Sequence, residues 1–322
     1  MVNKVGIKDR IKVLLGKVFP SRLDSLFSAL RFFRSVVRKV RRCMAQELTR
    51  ERLIADLRKA EICPGDVIMV HSSLSKVGKV AGGAETVVQS LIEAISPGGT
   101  LLMPSYCSAS KVVSDLKQGI VPDLRKAKSE TGLVTEVFRK WPGVHRSSHP
   151  FSPICAFGKK AKYIVRDHEL DPRIAHPDSP LARLRELGGK VIGIGVDIQF
   201  IGIYHLVEDI SETYPFEVYA ETVPITYVDS HGNQVERPIS LYAPTLQSKR
   251  IDQWEATWLR AAMRQHLTTK GLLKTFTFGR AASWYVDAGE IYTEVKRLAE
   301  KGITIYLTQE EWEKRGESLE SW

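Results

Sequence analysis

His205 and Glu208 stand three residues apart in VIGIGVDIQFIGIYHLVEDI, residues 191–210. Residues at that spacing are neighbours on a helix. The carboxylate can therefore hold one imidazole nitrogen and leave the other as a general base. The same spacing also describes an ordinary surface pair, so its meaning depends on its setting. VIGIGV is a continuous apolar run with β-branched residues, the pattern of a fully buried strand. After Asp197, the residues Ile201, Tyr204, His205 and Glu208 can share one helical face. A buried strand leading into a helix with an aimed His–Glu pair can set up acid–base chemistry.

Three further groups could bind a ligand. His71-Ser72-Ser73-Leu74 closes one apolar run and precedes the loop VGKVAGG, with Gly82 and Gly83 ahead of a helical segment. Loop amides and a helix N-terminus form an anion site; alternatively, the serines cap backbone amides at the turn. Arg146, in Arg146-Ser147-Ser148-His149-Pro150, could grip a phosphate in bidentate fashion or form a structural salt bridge. Ser179-Pro180-Leu181 reads as an N-cap with proline at the first helical position. The histidines 71, 149, 168, 176 and 205 show neither HxH nor HExxH spacing, so no metal is expected. The cysteines 43, 63, 107 and 155 form no CxxC pair. That argues against a disulfide framework and a zinc ribbon and fits a reducing cytoplasm. Cys107 and Cys155 follow apolar runs of the kind that bury small cysteines, which gives no sign of an activated thiol.

The elements that must position these residues alternate. Residues 48–62 form an amphipathic helix ended by Pro64-Gly65; DVIMVHSSL, TLLMPSY, PICAFG and KVIGIGV read as strands. TVVQSLIEAI, GLVTEVFRKW and SPLARLREL read as helices between them. This rhythm predicts an α/β fold, a layered β-sheet flanked by helices. Between Glu217 and Arg250 the texture changes, and the SHGN turn between alternating runs predicts a small antiparallel β subdomain in the C-terminal third. Two helices and a final strand, ITIYL, are expected to return the chain to the body.

The net charge of +10 is unevenly distributed. Residues 1–45 hold 12 of the 47 basic residues and 2 of the 37 acidic ones, so the remainder is balanced. Leu23, Leu26, Phe27, Leu30, Phe33, Val37 and Val40 fall at helical spacing there, which predicts an amphipathic helical N-terminal extension ahead of a domain over 46–322. Such a segment suits an anionic membrane surface. Its aromatics lack the interleaving of a single-strand binder, so no nucleic acid partner is expected. No apolar run approaches the length of a bilayer span, and no signal-peptide pattern is convincing. A cytoplasmic protein, peripheral on the inner face of the membrane, is the expectation.

In order along the chain, residues 71–106, 146–161, 167–197 and the YHLVE motif (204–208) resemble the aminoglycoside 3-N-acetyltransferase family, from about Leu48 to the C-terminus. The resemblance implies an N-acetyltransferase using acetyl-CoA, with His205 as base and Glu208 orienting it. It implies a CoA pocket lined by Ser72, Ser73 and Leu74 and reached by Gly82, Gly83 and Ser179, with Arg146 and Ser148 near the cleft. His71 is expected to be a satisfied buried histidine. One departure stands out: a small polar residue, often Thr, usually lies two or three positions before the histidine, where this chain has Gly202 and Ile203. With that residue missing and the body charge-balanced, the favoured acceptor is an amino sugar of a surface polysaccharide or glycolipid precursor, small or lipid-linked. An aminoglycoside antibiotic is the alternative. A non-catalytic membrane-tethered binding module is the alternative of another class.

Overall fold

The computed structural model describes residues 46–322. The expected amphipathic extension over 1–45, with its membrane role, lies outside the described residues. Helix α1 (Arg50–Lys59) is capped by Thr49 and buries Leu53 and Leu57. Strand β1 (Val67–Ser72) is followed by a short helix α2 (Leu74–Val77), then α3 (Gly83–Ile95) and β2 (Thr100–Pro104). Next come α4 (Ala109–Lys117), α5 (Leu133–Arg139), β3 (His145–Arg146), β4 (Ile154–Gly158) and α6 (Ala161–Val165). Helix α7 (Pro180–Glu186) leads to β5 (Lys190–Ile194) and, after one 3-10 turn, to α8 (Ile203–Ile210).

The seven-stranded sheet has the order β3-β4-β2-β1-β5-β9-β8, with β8 at Lys274–Phe278 and β9 at Ala281–Asp287. Its centre is parallel: β1 pairs with β2 on one side and with β5 on the other. The outer pairings are antiparallel. Both faces are covered. Ile68 and Val70 of β1 join the core under α1, α3 and α5, while Met69 joins the core under α6, α7 and α8. Burial on both faces explains why these strands read as unbroken apolar runs.

Gly193, in the middle of β5, faces Trp284 across the β5–β9 pair. A Cβ at Gly193 would come within 2.1–2.4 Å of indole atoms, so the absence of a side chain lets the ring lie across the strand. The indole then donates to Val196 O at 2.8 Å, fixing the chain as it leaves the sheet towards α8.

A separate two-stranded antiparallel sheet pairs β6 (Tyr219–Val228) with β7 (Gln234–Tyr242). Its turn is the expected one: Asp229 accepts from the His231 and Asn233 amides at 2.8 and 2.9 Å. After α9 (Pro244–Gln247) and α10 (Thr257–Thr269), the β8–β9 hairpin intervenes before α11 (Ala288–Glu300) and α12 (Gln309–Arg315). The expected strand at Ile303–Leu307 is not formed. Its side chains are buried, but its backbone turns locally, with Ile303 N donating to Leu298 O at 2.9 Å and Leu307 N to Thr304 O at 3.2 Å. The sheet edge beyond β5 is already taken by β9 and β8.

Candidate active site

Helices following β1 and β5 pack on opposite faces: α3 belongs to one core and α8 to the other. The chain therefore diverges beyond the carboxyl ends of these neighbouring strands, which is where open α/β sheets bind ligands. Ser72 and Ile194 are register partners there. The His71 ring stacks on Phe200, with centroids 5.7 Å apart, joining the end of β1 to the turn before α8.

Within α8, His205 Nδ1 lies 2.8 Å from Glu208 Oε2. The Glu208 side chain is fully buried, whereas that of His205 keeps 23% of its surface. An ionised carboxylate can only accept, so the shared proton sits on Nδ1 and Nε2 carries the lone pair. Nε2 makes no hydrogen bond among the described residues. The pair is thus built as an oriented base with one reactive nitrogen.

Tyrosines of the small sheet close over the two acids of α8. Tyr242 OH lies 3.1 Å from both Glu208 Oε2 and His205 Nδ1. Tyr219 OH donates to Asp209 Oδ1 at 2.8 Å, and Asp209 Oδ2 accepts from Ala175 N at 2.8 Å. Burial raises the Asp209 pKa to about 6, and the neighbouring Glu208 charge acts in the same direction. The loop after β7 adds Arg250, paired with Asp252 at 2.7 Å. Burial acts to raise the Asp252 pKa, but Arg250 outweighs it and holds the carboxyl below its ordinary value, helped by His205. Sequence reading missed Tyr242, Tyr219, Arg250 and Asp252. The Tyr219–Tyr242 register that brings both rings to α8 is a property of the paired hairpin.

The other candidates fare differently. Ser72 Oγ is buried without a partner, as is His71 Nε2, so His71 is buried but not satisfied. Burial lowers its pKa to about 4. Neither serine caps an amide: Ser73 Oγ instead meets Ser75 Oγ at 3.2 Å, and α2 has no side-chain cap. Gly82 is left-handed at φ 73° before Gly83 opens α3, with no side-chain cap there either. The Ala81 and Gly83 amides of this turn are spent on Leu48 O and Val80 O, so the polar atoms left for a ligand such as CoA are Ser72 Oγ and His71 Nε2. Ser179 caps α7, accepting from Ala182 N at 3.3 Å.

Arg146 meets neither expectation. Its guanidinium donates to Leu124 O, to Ala127 O at 2.9 Å and to Ser105 O at 2.7 Å, and it contacts Cys107 Sγ at 3.3 Å. It clamps loops through their carbonyls, which leaves few donors for a phosphate and involves no carboxylate. Ser148 Oγ bonds Ser230 Oγ of the hairpin turn at 2.6 Å. Arg146 lies on β3, three strands from β1 and Ser72 in the sheet order, and Ser148 lies in the loop just after it. Among the described residues, no group of three or more His, Cys, Asp or Glu could hold a metal ion. No described helix is long and apolar enough to cross a membrane.

His149, His168 and His176 form a row of tilted rings in the interior, with successive centroids 4.9 and 5.9 Å apart. His168 Nδ1 meets Ser147 Oγ at 2.8 Å and its Nε2 meets Ile174 O at 2.9 Å. Burial lowers all three pKa values, that of His168 to about 3. A depressed histidine binds its proton only on unfolding, so stability is full above the unfolded pKa of about 6.5 and falls below it. His168 alone costs about 1.4 kcal/mol per pH unit between 6.5 and 3. Urea midpoints should therefore hold above pH 7 and drop steeply from pH 6.5 to 5. Midpoints unchanged over that interval would contradict neutral burial.

A family model described as Aminoglycoside 3-N-acetyltransferase matches residues 69–300. Aminoglycoside N(3)-acetyltransferase IX of Micromonospora chalcea is 26% identical over 268 residues, covering 76% of this chain and 91% of its own. Aminoglycoside N(3)-acetyltransferase VIII of Streptomyces fradiae is 32% identical over 194 residues, with coverages of 56% and 67%. Among solved structures, AAC-IIIb in binary complex with CoASH superposes with a TM-score of 0.70 at 26% identity, covering 82% of this chain and all of that one. The apoenzyme of aminoglycoside acetyltransferase AAC(3)-IVa gives 0.64 at 26% identity, with coverages of 84% and 95%.

Proposed function

The chain belongs to the aminoglycoside 3-N-acetyltransferase family, acetyl-CoA-dependent enzymes, and we propose that it acetylates an amine of an aminoglycoside with His205 as the general base. The observation that carries the catalytic assignment is the 2.8 Å bond from His205 Nδ1 to a fully buried Glu208, on a ring that keeps a surface towards solvent. Amino-sugar amines are largely protonated at neutral pH. Nε2 takes that proton, and Glu208 compensates the imidazolium that forms. Acetyl-CoA supplies the acetyl thioester. Ser72, Ser73 and Leu74, with the Gly82–Gly83 turn and the start of α7 at Ser179, are the residues assigned to hold it.

Acetyl transfer to the amine is direct in this reading. Burial pushes the Cys155 thiol up to about 11 and also raises Cys107, so neither is a ready thiolate nucleophile.

The acceptor class follows from local charge rather than from the balanced body. Glu208, Asp209 and Asp252 lie around the base with two guanidiniums, Arg250 paired with Asp252 and Arg173 against Asp209, an excess of acid that favours a polycation. Relatives named for aminoglycosides support the same acceptor, and the surface-polysaccharide preference gains nothing from them. Thiol release from acetyl-CoA at pH 7.5 tests this with aminoglycosides set against glucosamine and nucleotide-linked amino sugars. We expect at least a tenfold higher kcat/KM for an aminoglycoside. The reverse ratio would return the acceptor to polysaccharide precursors.

A further inference from the structure

We propose that Tyr242 is a positioning residue for the base, its hydroxyl donating to Glu208 Oε2 so that the carboxylate stays aimed at His205 Nδ1–H. This rests on the reading of His205 as base.

Tyr242 O, Glu208 Oε2 and His205 Nδ1 are mutually within 2.8–3.1 Å. If the hydroxyl donated to Nδ1, that nitrogen would lack a proton, and its lone pair would face the carboxylate oxygen at 2.8 Å with nothing between them. The consistent arrangement places one proton on Nδ1 and one on the phenol, both directed at Oε2. Burial first, and the Glu208 charge second, hold the Tyr242 pKa well above its ordinary value, so the phenol remains a donor.

Glu208 depends on these donors. Its Oε1 has no partner at full hydrogen-bond geometry and Oε2 receives the bonds from His205 and Tyr242, while the buried Tyr306 hydroxyl also interacts with this carboxylate. A buried carboxylate with one donor fewer loses compensation for its charge and is free to rotate about its last torsion.

Tyr242 is itself held firmly. It is the last residue of β7, in register with Tyr219, and their rings lie 4.9 Å apart. Its ring also lies 5.8 Å from the His205 ring and 5.6 Å from the Arg250 guanidinium carbon. The hairpin therefore supplies one hydroxyl to each of two consecutive acids, Tyr242 to Glu208 and Tyr219 to Asp209. The small sheet, which contributes nothing to the seven-stranded one, gains a role: its open end completes the base.

Tyr242→Phe removes the hydroxyl and keeps the ring packing. Charged and titratable groups around the pair are Asp209 on α8, Tyr219 on the hairpin, Arg250 and Asp252 on the following loop, and Tyr214 and Tyr306 nearby; all are unchanged by it. With one donor gone, the less compensated Glu208 charge favours the imidazolium, while the fixed aim at Nδ1–H that the neutral base needs is lost. The acid limb of kcat/KM against pH should then move upward by about half a unit. We expect kcat to fall about tenfold while KM for acetyl-CoA stays within twofold. A kcat within twofold of wild type and an unmoved acid limb would overturn the proposal.

His205→Gln, assayed in parallel, separates the two claims. If it is inactive while Tyr242→Phe is silent, only the hydroxyl's role falls; if it retains wild-type activity, the base reading falls with it. A readout on the unaltered protein guards against a variant that does not fold. Histidine 15N NMR should show His205 protonated at Nδ1 and bare at Nε2 above the acid limb, and the opposite tautomer would overturn the arrangement.

Discussion

His205→Gln should lower kcat by about a thousandfold, within the range that a positioned general base supplies. Glutamine keeps a polar side chain of similar reach on α8 but has no basic nitrogen at the place of Nε2. The fold should be untouched, because the ring is partly exposed and its partners, Glu208 and Tyr242, are held by contacts of their own. Acetyl-CoA affinity, measured by calorimetry, should stay within twofold, since the residues assigned to CoA lie at the end of β1 and the starts of α3 and α7. A variant retaining most of the wild-type rate would remove His205 from the chemistry. One losing CoA binding and turnover together would move it to the cofactor site.

Glu208→Gln should cost about a hundredfold in kcat. The amide oxygen can still accept from Nδ1–H, so the tautomer survives in part. The negative charge that stabilises the imidazolium does not. A second consequence distinguishes this account from simple damage to α8. Part of the upward shift of Asp209 comes from the Glu208 charge, so removing that charge should lower the Asp209 titration from about 6. Carbon-13 titration of labelled aspartate reads this directly. A variant with wild-type kcat, or an Asp209 titration unmoved or raised, would contradict the charge coupling.

The helix-borne His–Glu pair was legible because both residues lie within one turn, where spacing alone fixes proximity. The same holds for Ser179 as cap of α7 and for the hairpin turn at 230–233, each a local signal. What escaped is non-local. Tyr242 is thirty-seven residues from His205 and reaches it only through the pairing of β6 with β7. Arg146 was expected to meet a phosphate or a carboxylate, and instead finds three carbonyls contributed by distant loops, which no charge pattern announces. Ile303–Leu307 has the composition of a strand and the burial of one. It turns because the β8–β9 hairpin, whose short turn at Gly279-Arg280 went unread, already covers the edge of β5. Overall charge conceals the site in a related way: the body is neutral as a whole, while acids gather beside His205.

On the proposed mechanism, His205 removes the proton from the acceptor amine. The most direct test is the ratio of wild-type to His205→Gln transfer rates, at saturating acetyl-CoA and aminoglycoside, from pH 6.5 to 9.5. Near neutrality the amine is charged and the ratio should be largest, about a thousandfold. As solvent takes over deprotonation at alkaline pH, the ratio should shrink steadily. A variant that follows the wild-type profile at nearly the wild-type rate throughout would contradict the account.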